Sequence, residues 1–215
     1  MKLSNNLLII VAVIFNLFLI LIISAPLFGV FDFKGFLTGK ATNEGYLNIT
    51  ILTAININMT RDSINWSSGI IDAGETNATL YTRGDDTGIA LRGNWSGENA
   101  KSFVIANIGG VNCSLKLRTG KNAHEFFSSS TNSNEQYMWN VSNKEANSCS
   151  GGAMLGEWVD VNKTSGGTEF CKQFSNHLSN NEIYVDILLT IPYDAQNFGE
   201  QSDILTVTAD AAGGA

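Results

Sequence analysis

The sequence predicts an all-β fold, an antiparallel β-sandwich preceded by one hydrophobic helix. Three observations support this prediction. Apolar and polar residues alternate over several segments, as they do in strands with one buried face. Clusters of Gly, Asn, Asp and Ser separate these segments at short intervals, which is typical of strands joined by tight turns. An uncharged apolar run stands apart at the amino terminus.

The amino-terminal run, Leu7–Phe31, contains no charged residue. A membrane-spanning helix needs about 20 apolar residues, whereas the apolar part of a secretory signal peptide has only about 7–15. We therefore predict a signal-anchor segment over residues 1–31 and a glycine-containing tether over residues 32–45. A cleaved leader is the alternative, although Pro26 disfavours cleavage after Ala25. Either way, the main domain is expected outside the cell, anchored in the membrane or secreted.

The predicted β domain covers residues 46–211 and opens with the stretch Leu47–Thr60, LNITILTAININMT. Isoleucine and methionine occupy most odd positions from 49 onward, and asparagine and threonine occupy most even positions. Side chains alternate between the two faces of a strand. We therefore expect one buried face and one exposed face that carries no charge.

The same alternation predicts further strands along the chain. Asn77–Thr82 is expected to end at the turn residues Arg83-Gly84-Asp85-Asp86. The sequence Ile108-Gly109-Gly110 predicts a hairpin between Ser102–Asn107 and Val111–Arg118. Strands are also predicted at Ile89–Arg92, Tyr137–Val141 and Glu157–Val161, whereas Glu169–Leu178 fits either a helical turn or a short strand.

The carboxyl end alternates again over Glu182–Ile191 and Ile204–Ala209, with a turn between them and a frayed tail at residues 212–215. The stretch Val185–Ala211, VDILLTIPYDAQNFGEQSDILTVTADA, resembles the last hairpin of exported Ig-like sandwich proteins. In those proteins an apolar strand runs into a Pro-containing turn, then Gly, then a Thr/Val-rich final strand. The resemblance is to an architecture found in microbial surface-layer, fibre and pilus subunits, and it implies a structural role at the cell surface.

Type IV pilin-like subunits also combine an apolar amino-terminal helix with a β domain. This sequence departs from them, because no basic-Gly cleavage site precedes the apolar run and no acidic residue lies early within it. Pilin function is therefore not transferred to this chain.

The charge balance bears on the expected partners. Lys and Arg number 13 against 20 Asp and Glu, a net charge of −7, and an acidic surface argues against nucleic acid as a partner. Only 15% of the residues are charged, so solubility depends largely on Asn, Ser, Thr and Gly. This composition favours an extracellular protein.

Triplets of the form Asn-x-Ser/Thr recur throughout the predicted β domain, and none has proline in the middle. Each is a candidate N-glycosylation site, although an Asn-rich composition also generates such triplets by chance. The candidate acceptors are Asn48, Asn58, Asn65, Asn77, Asn94, Asn112, Asn140 and Asn162.

Three cysteines lie in the predicted exported domain. Cys149 and Cys171 are the candidate disulfide pair, which would leave Cys113 free, buried or paired with another chain. The absence of a Cys-x-x-Cys motif argues against a zinc or redox centre.

Two tryptophans, Trp66 and Trp95, lie in the middle of Asn-Trp-Ser triplets. An exposed tryptophan can stack on a sugar, so both are candidate glycan-stacking residues. Burial in the core is the alternative, since tryptophan is highly buried on average.

The sequence contains no catalytic or metal-binding signature. The two histidines, His124 and His177, are not part of His-Glu-x-x-His, and no nucleophile elbow or phosphate-binding loop is present. Arg83-Gly84-Asp85 resembles the tripeptide read by integrins, but ordinary turn chemistry also explains it. We therefore predict no enzyme activity, no cofactor and no metal.

Together these features predict a cell-surface structural or interaction protein, a glycosylated β-sandwich that contacts the membrane through its amino-terminal helix and also contacts other copies of itself or other surface proteins. The first alternative is an extracellular carbohydrate-binding module, which an aromatic cluster on an exposed sheet would favour. The second is a secreted hydrolase, which a cleft holding His124 or His177 beside a carboxylate would favour.

Overall fold

The computed structural model describes residues 13–16, 54–130, 134–151, 155–197 and 199–212. The chain divides into two compact units, Met1–Thr50 and Ile51–Ala215. Residues 13–16 are helical. The rest of the predicted signal-anchor, the tether, residues 47–53 with the candidate acceptor Asn48, and the last three residues lie outside the described residues. Within the described part of the chain, no helix has both the length and the apolar character needed to cross a membrane.

The second unit is built mostly from antiparallel β-strands, which confirms the all-β prediction. Its first strands are β1 (Ile57–Arg61), β2 (Asn77–Arg83), β3 (Asp86–Leu91), β4 (Phe103–Asn107) and β5 (Cys113–Thr119). A short helix, α1 (Ala123–Phe127), follows. The remaining strands are β6 (Gln136–Asn143), β7 (Cys149–Ser150), β8 (Val159–Asp160), β9 (Thr168–Phe174), β10 (Glu182–Pro192) and β11 (Leu205–Ala211).

The larger sheet has seven strands arranged around β10. One edge of β10 pairs with β6, which in turn pairs with β8. The other edge is shared end to end: the first part of β10 pairs with β4, and the last part pairs with β2. The outer strands β1 and β3 pair with β4 and β2, respectively. Because β4 and β2 follow one another along the same edge, the sheet divides at the middle of β10, near Asp186.

The smaller sheet has four strands in the order β11-β5-β9-β7. Buried side chains from both sheets belong to one hydrophobic cluster. The ring of Trp139 on β6 meets the ring of Phe170 on β9 edge-on, with 5.8 Å between the ring centroids. The two sheets therefore share a core, which also includes Leu80, Ile105, Leu115, Leu117, Val141, Phe174, Ile183, Val185, Ile187 and Leu189.

The predicted hairpin between Ser102–Asn107 and Val111–Arg118 is wrong, because its two strands belong to different sheets. The two strands in the carboxyl-terminal stretch that resembles a last hairpin also belong to different sheets. β4 leads into β5, and β10 leads into β11, but each of these steps crosses from the larger sheet to the smaller one. Both edges of β4 are already paired, with β1 and β10. The side chain of Asn107 supports the first crossing by donating to the carbonyl of Val111, 3.1 Å away, and by accepting from the N–H of Gly109, 3.0 Å away.

The predicted strand Leu47–Thr60 is described from residue 54 onward, and there β1 begins only at Ile57; Ile55, which is expected on the buried face, is 39% exposed. In β1, Ile57 and Met59 pack against the core, and Asn58 and Thr60 are exposed. The ambiguous segment Glu169–Leu178 contains most of strand β9. The helix α1 was not predicted, although its signal is present: Asn122 accepts from the N–H of Glu125, and Glu125 accepts from the N–H of Asn122.

Candidate functional site: two loops with Asn-Trp-Ser triplets

Two neighbouring loops carry the Asn-Trp-Ser triplets. We call residues 62–76, between β1 and β2, the first tryptophan loop, and residues 92–102, between β3 and β4, the second tryptophan loop. Backbone hydrogen bonds join them: the N–H of Asn65 donates to the carbonyl of Asn99 at 3.1 Å, and the N–H of Asn94 donates to the carbonyl of Ile70 at 3.2 Å. The two triplets are therefore held in one region of the surface.

The tryptophan of each triplet points inward and anchors its loop. Trp66 is only 9% exposed and belongs to the core cluster. Trp95 is half-buried against two glycines, since a Cβ atom added at Gly69 or at Gly93 would lie 2.5 Å from its ring. The ring of Trp66 therefore offers no exposed face to a sugar, whereas Trp95 keeps part of its surface open.

The asparagine and serine of each triplet point outward. Asn65 and Ser67 are exposed, as are Asn94 and Ser96. The Oδ1 atom of Asn65 accepts from the N–H of Ser67 at 2.6 Å, and Oδ1 of Asn94 accepts from the N–H of Ile70 at 2.7 Å. Each amide is thus oriented through its oxygen, which leaves the nitrogen, the atom that a glycan modifies, outside these two contacts.

The candidate acceptors within strands have different surroundings. Asn58 is exposed on β1, an outer strand of the larger sheet. Asn77 on β2 and Asn140 on β6 are half-buried, and each of these strands is paired on both sides. The Oδ1 atoms of Asn77 and Asn140 are buried and accept no hydrogen bond from the described residues.

The two remaining described acceptors, Asn112 and Asn162, lie in connecting segments. Asn112 is exposed and accepts from the N–H of Asn176 at 3.0 Å, but the hydroxyl residue of its triplet, Ser114, is buried in β5. Asn162 is half-buried and accepts from both the N–H and the hydroxyl of Thr164, at 2.8 and 2.5 Å.

A disulfide bond joins Cys149 on β7 to Cys171 on β9, which confirms the predicted pairing. The third cysteine, Cys113 on β5, is a buried free thiol. Burial raises the pKa of Cys113 to about 11, so its thiol stays protonated and unreactive at neutral pH.

A buried carboxylate occupies the division of the larger sheet. Asp186 on β10 is 7% exposed, and its Oδ1 accepts from the hydroxyl of Thr82 at 3.0 Å, from the N–H of Gly84 at 3.0 Å and from the hydroxyl of Ser102. Thr82 and Gly84 lie at the end of β2, and Ser102 directly precedes β4. Asp186 thus links the β2 side of the division to the β4 side.

The Arg83-Gly84-Asp85 triplet begins at the last residue of β2 and continues into the turn between β2 and β3. Both carboxylate oxygens of Asp85 are engaged within the chain, one by Arg61 at 2.6 Å and the other by the hydroxyl of Tyr184. The hydrogen bond from Arg61 is the main reason that the pKa of Asp85 is lowered. This geometry favours the turn interpretation over an adhesive role.

His124 lies beside a carboxylate, the feature expected of a hydrolase. Its Nδ1 is 3.0 Å from Oε1 of Glu135. The hydroxyl of Ser129, however, donates to the other oxygen of Glu135 at 2.7 Å rather than to the histidine. The nucleophile–histidine–carboxylate order of hydrolytic triads is therefore not formed by these three residues. Among the described residues, no cluster of three His, Cys, Asp or Glu side chains could hold a metal ion.

The chain matches no protein-family model, no curated protein and no solved structure. Of the sites described, the tryptophan loops bring together the largest number of exposed candidate acceptor residues. Sequence reasoning identified the asparagines of these loops, but it did not identify Asp186 or the role of Asn107.

Proposed function

We propose that this chain is a cell-surface structural or interaction protein, a glycosylated Ig-like β-sandwich that is anchored in the membrane or secreted. The observation that carries the proposal is the Cys149–Cys171 disulfide. Disulfide bonds persist in oxidising compartments such as the extracellular space and are rare in the cytosol of most organisms.

The exposed surface of the β domain supports the same proposal. Asn58, Asn65 and Asn94 are exposed, and each is followed two residues later by an exposed hydroxyl residue. Because only 15% of the residues are charged, sugars at such positions would supply much of the hydration that charge supplies in other proteins.

The architecture also supports a structural role. Two antiparallel sheets with a common core are the layers from which sandwiches are built. The uncharged run Leu7–Phe31 has the length of a membrane anchor. Of the helical residues within it, Val13, Ile14 and Phe15 are each more than half exposed, as expected for side chains that face lipid.

The test is to extract the chain from the membranes of its native host and to measure its intact mass with and without reductant. We expect retention in the membrane fraction, or release of the chain shortened at its amino terminus, together with added carbohydrate mass and an intact Cys149–Cys171 bond. Recovery of a cytosolic, unmodified and fully reduced chain would contradict the proposal.

A carbohydrate-binding module is the second candidate, and the partly open ring of Trp95 favours it. The exposed side chain of Ile70 lies on the loop segment that contacts this ring. Titration of the protein with soluble oligosaccharides should then change the tryptophan fluorescence of the native chain but not that of a Trp95→Phe variant. Equal responses from both proteins would exclude Trp95 as the binding residue.

A further inference from the structure

We infer that the folded chain carries its glycans on the two tryptophan loops, at Asn65 and Asn94, and that the inner-strand triplets at Asn77 and Asn140 stay unmodified. The inference rests on the proposed function, because it assumes that the chain meets a glycosylating enzyme. It goes further by sorting the candidate sites according to the surroundings of each amide.

The chemistry requires access to one particular atom. In N-glycosylation the Nδ2 atom of asparagine attacks C1 of an oligosaccharide held on a lipid diphosphate. The new C1–Nδ2 bond forms as the C1–O bond to the diphosphate breaks, the lipid diphosphate leaves, and one Nδ2 proton passes to a base of the transferase. The amide oxygen is not consumed, so a hydrogen bond that it accepts can survive the reaction.

The tryptophan loops meet this requirement. At Asn65 and Asn94 the hydrogen bonds at 2.6 and 2.7 Å involve Oδ1 and a backbone N–H, and both bonds are compatible with a sugar on Nδ2. The hydroxyl residues Ser67 and Ser96 are exposed beside them. An enzyme that binds either triplet has to open at most the isolated backbone contact between Asn65 and Asn99 or between Asn94 and Ile70, because the triplets lie between the strands and not within a continuous ladder.

The inner strands β2 and β6 do not meet this requirement for access to Nδ2. β2 lies between β10 and β3, and β6 lies between β10 and β8, so neither strand can enter an enzyme cleft without breaking hydrogen bonds on two sides. The Oδ1 atoms of Asn77 and Asn140 are buried. Because the amide group is planar, burial of its oxygen also limits where Nδ2 can place a sugar.

Asn58 provides an internal reference between these extremes. It is exposed, and so is Thr60, but both belong to a strand that is paired with β4. Only one ladder has to open there, so we expect an occupancy below that of the loop sites and above that of the inner-strand sites.

The experiment is site-resolved mass spectrometry of the full chain produced in its native host. Cleavage after Lys and Arg isolates Asn94 and Asn140 on separate peptides, and additional cleavage after Glu75 separates Asn65 from Asn77. We expect Asn65 and Asn94 to be glycosylated in most molecules, and Asn77 and Asn140 to be occupied at least tenfold less.

Three variants separate the sites while leaving every asparagine side chain in place. Ser67→Ala and Ser96→Ala remove only the hydroxyl of a loop triplet, and Ser142→Ala removes that of the Asn140 triplet. The two loop variants should each lose one glycan mass, and the strand variant should lose none. Equal occupancy of Asn140 and Asn65, or a mass loss with Ser142→Ala alone, would overturn the inference but leave the proposed function intact. A native chain without carbohydrate at any site would overturn both.

Discussion

Each of the two sheets has an internal link between its strands, and the two links differ in kind. In the seven-stranded sheet, the division between β2 and β4 is bridged by hydrogen bonds to one buried carboxylate, Asp186. In the four-stranded sheet, β7 is joined to β9 by the Cys149–Cys171 bond. A hydrogen-bonded link depends on every donor keeping its partner, whereas a covalent link acts mainly by restricting the unfolded chain. The two sheets should therefore respond differently to substitution and to reductant.

The largest effect is expected at the polar link. Asp186→Ala leaves the hydroxyls of Thr82 and Ser102 and the N–H of Gly84 without their acceptor in a buried site. We expect a loss of about 3–5 kcal/mol in the free energy of unfolding, measured by urea denaturation. Asp186→Asn keeps one acceptor oxygen in the same volume and should lose less than half as much. An equally large loss in both variants would show that charge, and not the acceptor, is what the site requires.

The covalent link should contribute slightly less. Its cysteines are separated by 22 positions, and closing a loop of this length stabilises a fold by about 3 kcal/mol. Reductant should lower the unfolding free energy of the native protein by about that amount. The double variant Cys149→Ala/Cys171→Ala retains Cys113 and should be insensitive to reductant. If the variant responds as the native protein does, the stabilisation lies elsewhere.

An intermediate effect is expected in the tryptophan loops, at the two glycines that contact the ring of Trp95. A Cβ added at Gly69 or Gly93 would meet the ring of Trp95 at 2.5 Å, so Gly69→Ala and Gly93→Ala should each cost about 1–3 kcal/mol. Gly166→Ala is the matched control, because nothing lies within 4 Å of the added atom. Urea denaturation followed by tryptophan fluorescence measures all three variants. A loss at Gly166 equal to that at Gly69 would exclude the ring contact as the cause.

The smallest effect is expected from the ion pair between Arg61 and Asp85. The lowered pKa of Asp85 means that its contribution is present above the unfolded-state pKa, near 4, and is lost as the pH falls through the folded-state pKa. The Asp85 side chain is 56% exposed, so solvent screening limits this contribution to about 0.2–1 kcal/mol. The stability difference between the native protein and Asp85→Asn should therefore shrink below about pH 4. A constant difference from pH 7 to pH 2 would contradict the assignment.

The sequence predicts the strands better than it predicts their partners. The alternation in β10 correctly identifies four buried positions, because burial on one face is a local property of a strand; they are Ile183, Val185, Ile187 and Leu189. It misplaces Ile191, which is half-buried, and Thr190, which is buried. Asp186 occupies what the same alternation marks as an exposed position. It is buried because β2 and β4 converge there, an arrangement that depends on residues about a hundred positions away. Turn residues such as Gly109 and Gly110 likewise mark where the chain bends but not which sheet it enters next.

In the tryptophan loops, too, the sequence predicts local features better than it predicts contacts between distant residues. The Asn-x-Ser/Thr triplets are visible in the sequence, yet the property that distinguishes Asn65 from Asn77 is whether the triplet lies in a loop or in a strand paired on both sides. The two tryptophans are equally ambiguous in the sequence. The ring of Trp95 contacts Gly69 and Gly93. Gly69 belongs to the first tryptophan loop, so this contact depends on how the two loops meet in space.

The position of β10 in the chain has a consequence for how the protein acquires its structure. This strand holds the two halves of the larger sheet together, yet it ends at Pro192 and is followed only by β11 among the described strands. During synthesis, the pairs β1–β4 and β2–β3 must wait for it as separate fragments. Such distant pairing makes folding slow.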